Sequence, residues 1–288
     1  MTPPTASPDL ARILHVLVDE RQGVFTFDSF CEIAGVAPRA ARQLLHELMR
    51  LGLLCPLRPD VAADTFQLLP HRLGLDPRRL APPYLLVPRL VGEGPYFVSH
   101  ASAMEIHGMT TWQRPIVYVC QPQFMHHRLV AGTFFHVVTC RPAHWFGAIE
   151  HAVDRFARVW VSDLERTILD GLRQPKYVGG VAQVVVGFQI RRADVDIDRL
   201  VGYALRLGLS TLQRRLGYLL EWCRVDAPAA LARLRASIPP RASYLPLDPT
   251  LPRRGPCCPR WRLHLNTQLT SIEGTARLSR AQVPELPR

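Results

Sequence analysis

Residues 26–54 read TFDSFCEIAGVAPRAARQLLHELMRLGLL. Phe27, Phe30, Cys31 and Ala34 recur at helical spacing and run into Gly35, a residue able to supply the positive φ of a tight turn. Pro38 then opens a second helix, where its missing N–H removes no helical hydrogen bond. In that helix Ala41, Leu44, Leu45, Leu48 and Met49 repeat with the helical period, while Arg39, Arg42, Gln43, His46 and Arg50 share the other side. Two helices joined by a three-residue turn, the second offering Arg and Gln to solvent, match a helix-turn-helix with its recognition helix. Arg and Gln are side chains that read guanine and adenine edges through paired hydrogen bonds.

The neighbouring sequence extends this pattern. Leu10, Ile13, Leu14, Leu17 and Val18 predict a further amphipathic helix upstream. Downstream, LGLLCPLRP and DTFQLLP read as two short strands around a loop containing Pro and Asp, the pattern of a wing. Three helices and a hairpin within residues 1–72 predict a winged helix-turn-helix. Arg39, Arg42, Gln43 and His46 would meet the major groove of double-stranded DNA, and Arg50 and Arg58 its phosphates.

At 288 residues the chain is long enough for two domains. No run of 18 apolar residues is present, and MTPPTASPDL has neither a charged n-region nor an apolar h-region. These features predict a cytoplasmic protein with no membrane partner. The seven cysteines are odd in number and scattered, and Cys257-Cys258 has no suitably spaced Cys/His partners, so neither a disulfide framework nor a metal site is expected. Charge is unevenly distributed. Residues 1–75 carry seven Arg against eight acids, about −1, whereas residues 76–288 carry 28 Lys/Arg against 16 acids, about +12. The second part is therefore a candidate for contact with phosphates or an acidic partner.

After the wing, HRLGLDPRRLAPPYLLVPRLVGEGPY is Pro-rich and reads as a linker, 73–95, with a strand at Leu85–Val87. An α+β domain over 96–266 and a loose tail over 267–288 follow. VSHASAMEIHGM predicts a helix capped by Ser99 and ended by Gly108, IVYVCQ and FFHVVTC predict strands, and RVWVSDLERTILD a strand followed by a helix capped at Ser162 or Asp163. Later helices include STLQRRLGYLLEWC, with Arg214 and Arg215 on its polar positions, and WRLHLN predicts a final strand.

No catalytic constellation is legible. Ser99-His100 reads as a helix start, because neighbours on a helix do not face each other. Asp163, Glu165 and Asp170 read as caps and ion pairs with Arg166 and Arg173. A restriction-type nuclease needs a lysine just after its second acid, and the only lysine is Lys176, behind Gln174 and Pro175. His126, His127 and His144 lack helical zinc spacing, and no phosphate-cradling GxxxxGK[ST] or GxGxxG occurs. Met104, Ile106 and Met109 with Trp112 read as core or a domain contact, and Trp145, Trp160, Trp222 and Trp261 read as core. No enzyme, cofactor or metal is expected.

Three blocks in the second part, FVSHASAMEIHGMTTWQRPIVYV, VSDLERTILD and LDPTLPRRGP…RWRLHLN, follow in order behind the winged helix. Together they resemble the AbiEi-family antitoxins of AbiE (type IV) toxin–antitoxin and phage-defence systems, over roughly residues 8–266. The resemblance implies a repressor of its own operon. It also implies a second domain that antagonises a nucleotidyltransferase-like toxin, without requiring stable binding to it. The family usually ends near RWRLHLN, so the last 22 residues depart from its pattern. The alternative is a ligand-responsive winged-helix transcription factor with residues 96–266 as effector domain.

Overall fold

The computed structural model describes residues 10–19, 23–56, 65–69, 83–92, 94–110, 116–130, 133–152 and 158–270. The architecture is mixed α+β. Two compact units emerge: residues 1–94 with 125–135 and 152–159, and residues 95–124 with 136–151 and 160–288.

The first unit runs α1 (Leu10–Asp19), β1 (Val24–Thr26), α2 (Phe27–Ala34), α3 (Pro38–Arg50), β2 (Leu54–Pro56) and β3 (Thr65–Leu68). Its three strands form an antiparallel sheet in the order β1-β3-β2, with Phe25 opposite Phe66 and Leu54 opposite Leu68. The two strands expected after α3 therefore pair, and the residues between them, 57–64, lie outside the described set. β1 is unanticipated: three residues are too short to show alternation, and its pairing with β3 defines it. Ile13, Leu17, Phe30, Ala41, Leu45, Leu48 and Leu68 meet in one core with the stacked rings of Phe25, Phe30 and Phe66. The predicted strand at Leu85–Val87 is instead helical. A 3₁₀ turn, Pro83–Leu86, enters α4 (Val87–Val91), which buries Leu86, Val87 and Leu90. Pro at the second helical position suits the first turn, so the Pro-rich composition is compatible with a short helix.

The second unit holds α5 (His100–Ile106), α6 (Leu164–Arg173), α7 (Val181–Arg191), α8 (Ile197–Leu207), α9 (Ser210–Trp222) and α10 (Pro228–Ala236). The strands β4 (Phe97–Val98), β5 (Ile116–Gln121), β6 (Arg128–Val130), β7 (Thr133–Thr139), β8 (Ala148–Ala152) and β9 (Arg158–Ser162) form one sheet in the order β6-β7-β5-β4-β9-β8. β4 pairs antiparallel with β5 and parallel with β9. The span between β5 and β7, expected to be a plain connection, contains β6. The core gathers Ile168, Leu169 and Leu172 of α6 with Val184, Val185 and Phe188 of α7 and Leu216, Leu219 and Leu220 of α9. Valine-rich α7 is a poor helix former by propensity; burial of Val181, Val184 and Val185 holds it helical. A small sheet of β10 (Leu245–Pro246), β12 (Leu263–His264) and β11 (Cys257–Cys258), in that order, follows, and Trp261, between β11 and β12, is completely buried against α9. Among the described residues no helix is long and apolar enough to cross a membrane.

Candidate nucleic-acid interface

Local chemistry sets the entry to α3. Thr26 and Ser29 form a reciprocal cap: Thr26 Oγ1 accepts from the Ser29 N–H at 3.2 Å, and Ser29 Oγ accepts from the Thr26 N–H at 3.0 Å. Gly35, in the left-handed region at φ 65°, ends α2 and donates its N–H to Cys31 O. Val36 and Ala37 complete the turn, and Pro38 occupies the start of α3.

Ala41, Leu45 and Leu48 of α3 are buried, whereas Arg39, Arg42, Gln43, His46 and Arg50 are all exposed. At 3.6 residues per turn these five fall within an arc of about 100° and span about 16 Å along the axis, a length compatible with a major groove. The expected side chains thus share one solvent-facing stripe. Two of them are engaged. The Arg42 guanidinium lies 5.4 Å from the centre of the Phe27 ring, which orients it from below. Arg50 donates to both carboxylate oxygens of Glu47, at 2.6 Å from Nη2 and 3.3 Å from Nε. That bond and the charge of Arg50 hold the Glu47 carboxyl below its usual range. Position 47 lies at the border of the stripe, so Glu47 sets an acid beside the basic residues. Arg58 lies outside the described residues.

In the second unit the dominant polar feature is buried. Arg166, 1 % exposed, donates from Nε to both oxygens of Asp170 at 3.0 Å and from Nη1 to the carbonyls of His144 at 2.6 Å and Phe146 at 3.0 Å. Asp163 caps α6 by accepting from the Arg166 N–H at 2.7 Å and also accepts from the Tyr203 hydroxyl. Glu165 accepts from the Asp196 N–H and from Arg199. The three acids therefore act as a cap and as ion-pair partners, but Glu165 takes Arg199 of α8 as its counter-ion. Among the described residues no group of three His, Cys, Asp or Glu side chains is arranged to hold a metal.

The structure departs from the sequence reading at several residues of the second unit. Ser99 and His100 do touch: Ser99 Oγ lies 2.9 Å from His100 Nδ1. The two are not consecutive helical residues, because Ser99 is extended and His100 adopts φ 50°. Ser99 consequently makes no capping bond. His100 Nε2 donates to Gln174 Oε1 at 3.1 Å, leaving Nδ1 to accept from the serine hydroxyl. Both residues are buried, and desolvation lowers the proton affinity of His100, which keeps it neutral. Arg214 and Arg215, expected on a polar face, are buried as well. Arg214 donates to Ser243 O and Arg215 to Leu172 O, and burial pushes the Arg215 guanidinium down to about 10. Trp160 is 43 % exposed on β9 rather than in the core, whereas Trp261 is fully buried with its indole N–H on Glu221.

No family model and no curated protein matches the chain. Among solved structures it is similar to the RV2827C protein from Mycobacterium tuberculosis, with a TM-score of 0.59 and 18 % identity over 88 % of this chain and 89 % of that one. At that identity the likeness extends to the fold.

Proposed function

We propose that the chain is a cytoplasmic, non-enzymatic DNA-binding repressor that also serves as the antitoxin of a type IV toxin–antitoxin pair. Residues 10–68, in the order α1-β1-α2-α3-β2-β3, are read as a winged helix-turn-helix, with α3 as its recognition helix. The observation that carries this reading is the single exposed stripe of Arg39, Arg42, Gln43, His46 and Arg50 on a helix entered through a three-residue turn. Arg42 and Gln43 contact base edges, Arg39 and His46 flank them, and Arg50 and Arg58 meet phosphates. The antitoxin role rests on the ordered AbiEi-like blocks of the second unit. There the family pattern implies antagonism of a nucleotidyltransferase-like toxin.

An electrophoretic shift with the chain's own upstream DNA, against scrambled duplex at matched salt, tests the repressor half. Sequence-dependent binding that is lost in the Arg39→Ala/Arg42→Ala/Gln43→Ala variant is the expected result. Equal weak binding to both duplexes would overturn it. Co-expression with the neighbouring gene tests the antitoxin half through rescue of growth.

A further inference from the structure

The second unit's basic excess has a focus. Arg141 follows β7, Arg173 ends α6, and Lys176 lies in the 3₁₀ turn Pro175–Tyr177 directly after it. Neither guanidinium has a hydrogen-bond or acid partner among the described residues, and the Lys176 ammonium has only the Tyr177 ring, 4.6 Å from its centre. The acid on the same helix, Asp170, is buried and committed to Arg166. Arg141 lies three residues before His144, whose carbonyl Arg166 of α6 holds, and Arg173 adjoins Gln174, whose side chain meets His100 at 3.1 Å. Cations without an acid partner attract a polyanion.

Beside these cations stands an aromatic surface. The His136 and Tyr177 rings are half-buried, 4.8 Å apart and tilted by 52°. Buried Tyr118 backs both, 5.3 Å from each, and His100 meets Tyr177 edge-on at 5.1 Å. Packing against Tyr118 supports the two outer rings, which reduces the ordering cost for a base that stacks on them. Free cations beside a supported aromatic platform are the two components of single-strand recognition.

We propose that the second unit binds single-stranded RNA, with phosphates on Arg141, Arg173 and Lys176 and an unpaired base stacked on His136 and Tyr177. This site goes beyond the proposed function and does not depend on it, since the duplex-binding stripe lies on α3.

The test is fluorescence anisotropy of the full chain with a labelled single-stranded RNA of about twelve nucleotides in mixed sequence. The variants are Tyr177→Leu, Tyr177→Phe and the triple Arg141→Gln/Arg173→Gln/Lys176→Gln; Arg141 and Lys176 are exposed and Arg173 is half-buried. Binding at about 10 μM protein or below is expected. It should weaken at least ten-fold in Tyr177→Leu, stay within about three-fold in Tyr177→Phe, and lose about two units of salt slope in the triple variant. Upstream-duplex shifts should be the same for all variants. Failure to bind RNA, smaller losses than these, preference for ATP over RNA, or parallel loss of duplex binding would each overturn the proposal. Failure of the duplex shift alone would bear only on the repressor.

Discussion

Replacing Arg166 by Met tests the buried network on which the second unit is built. The guanidinium and the Asp170 carboxylate are 1 % and 3 % exposed. Removing one partner of such a pair strands a charge in the interior, at a cost of about 3–5 kcal/mol. The carbonyls of His144 and Phe146 lose their donors as well, each worth about 1 kcal/mol net. The expected destabilisation is therefore about 5–7 kcal/mol, comparable to the whole stability of many domains. Urea unfolding followed by tryptophan fluorescence isolates the effect, because Trp145, Trp160, Trp222 and Trp261 lie in the second unit and the first unit's ranges contain no tryptophan. The partner variant Arg166→Met/Asp170→Leu removes both charges and should recover most of the loss, leaving about 2 kcal/mol for the two carbonyls. A single-variant cost below about 1 kcal/mol, or a double variant less stable than the single, would refute the assignment of this pair as a mutually dependent buried ion pair.

Glu47→Gln removes the acid beside the α3 stripe and releases Arg50, so upstream-DNA binding should strengthen and its salt slope steepen by about 0.9. That corresponds to about 3.5-fold more loss between 50 and 200 mM salt, read from anisotropy titrations. His100 has its folded-state proton affinity lowered from a reference of 6.5, so the unfolded chain takes up the proton first on acidification. Stability should be level above that pH and fall below it, and His100→Asn, which tolerates the left-handed backbone, should flatten the fall in melts between pH 7 and 5. Gly217→Ala should destabilise by about 1–3 kcal/mol by urea unfolding, because a Cβ there would come within 2.2 Å of the buried Trp261 ring, outweighing the helix-propensity gain.

Much of this protein is legible from residue order because its elements signal locally. The turn Gly35–Ala37, Pro38 at the head of α3 and the apolar period through Leu48 each act within a few residues. The stripe Arg39, Arg42, Gln43, His46 and Arg50 could therefore be placed before any contact was known. The same holds for β5, for a cap of α6 at Ser162 or Asp163, and for Arg166 and Arg173 as the candidate partners of the acids on α6. β1, β6 and β8 were not legible, being short and defined by partners elsewhere in the chain.

Residue order thus determined the longer helices, which face of α3 meets solvent and where positive charge accumulates, since periodicity, caps and composition are local properties. Tertiary structure decided the rest. It turned Leu85–Val87 into helix, buried Arg214 and Arg215 by supplying the carbonyls of Ser243 and Leu172, and brought Ser99 against His100 through a left-handed backbone. It also drew the rings of Tyr118, His136 and Tyr177 together. The physical reason is that a hydrogen-bond partner or a stacked ring is a relation between residues far apart in the chain, created only when the core closes.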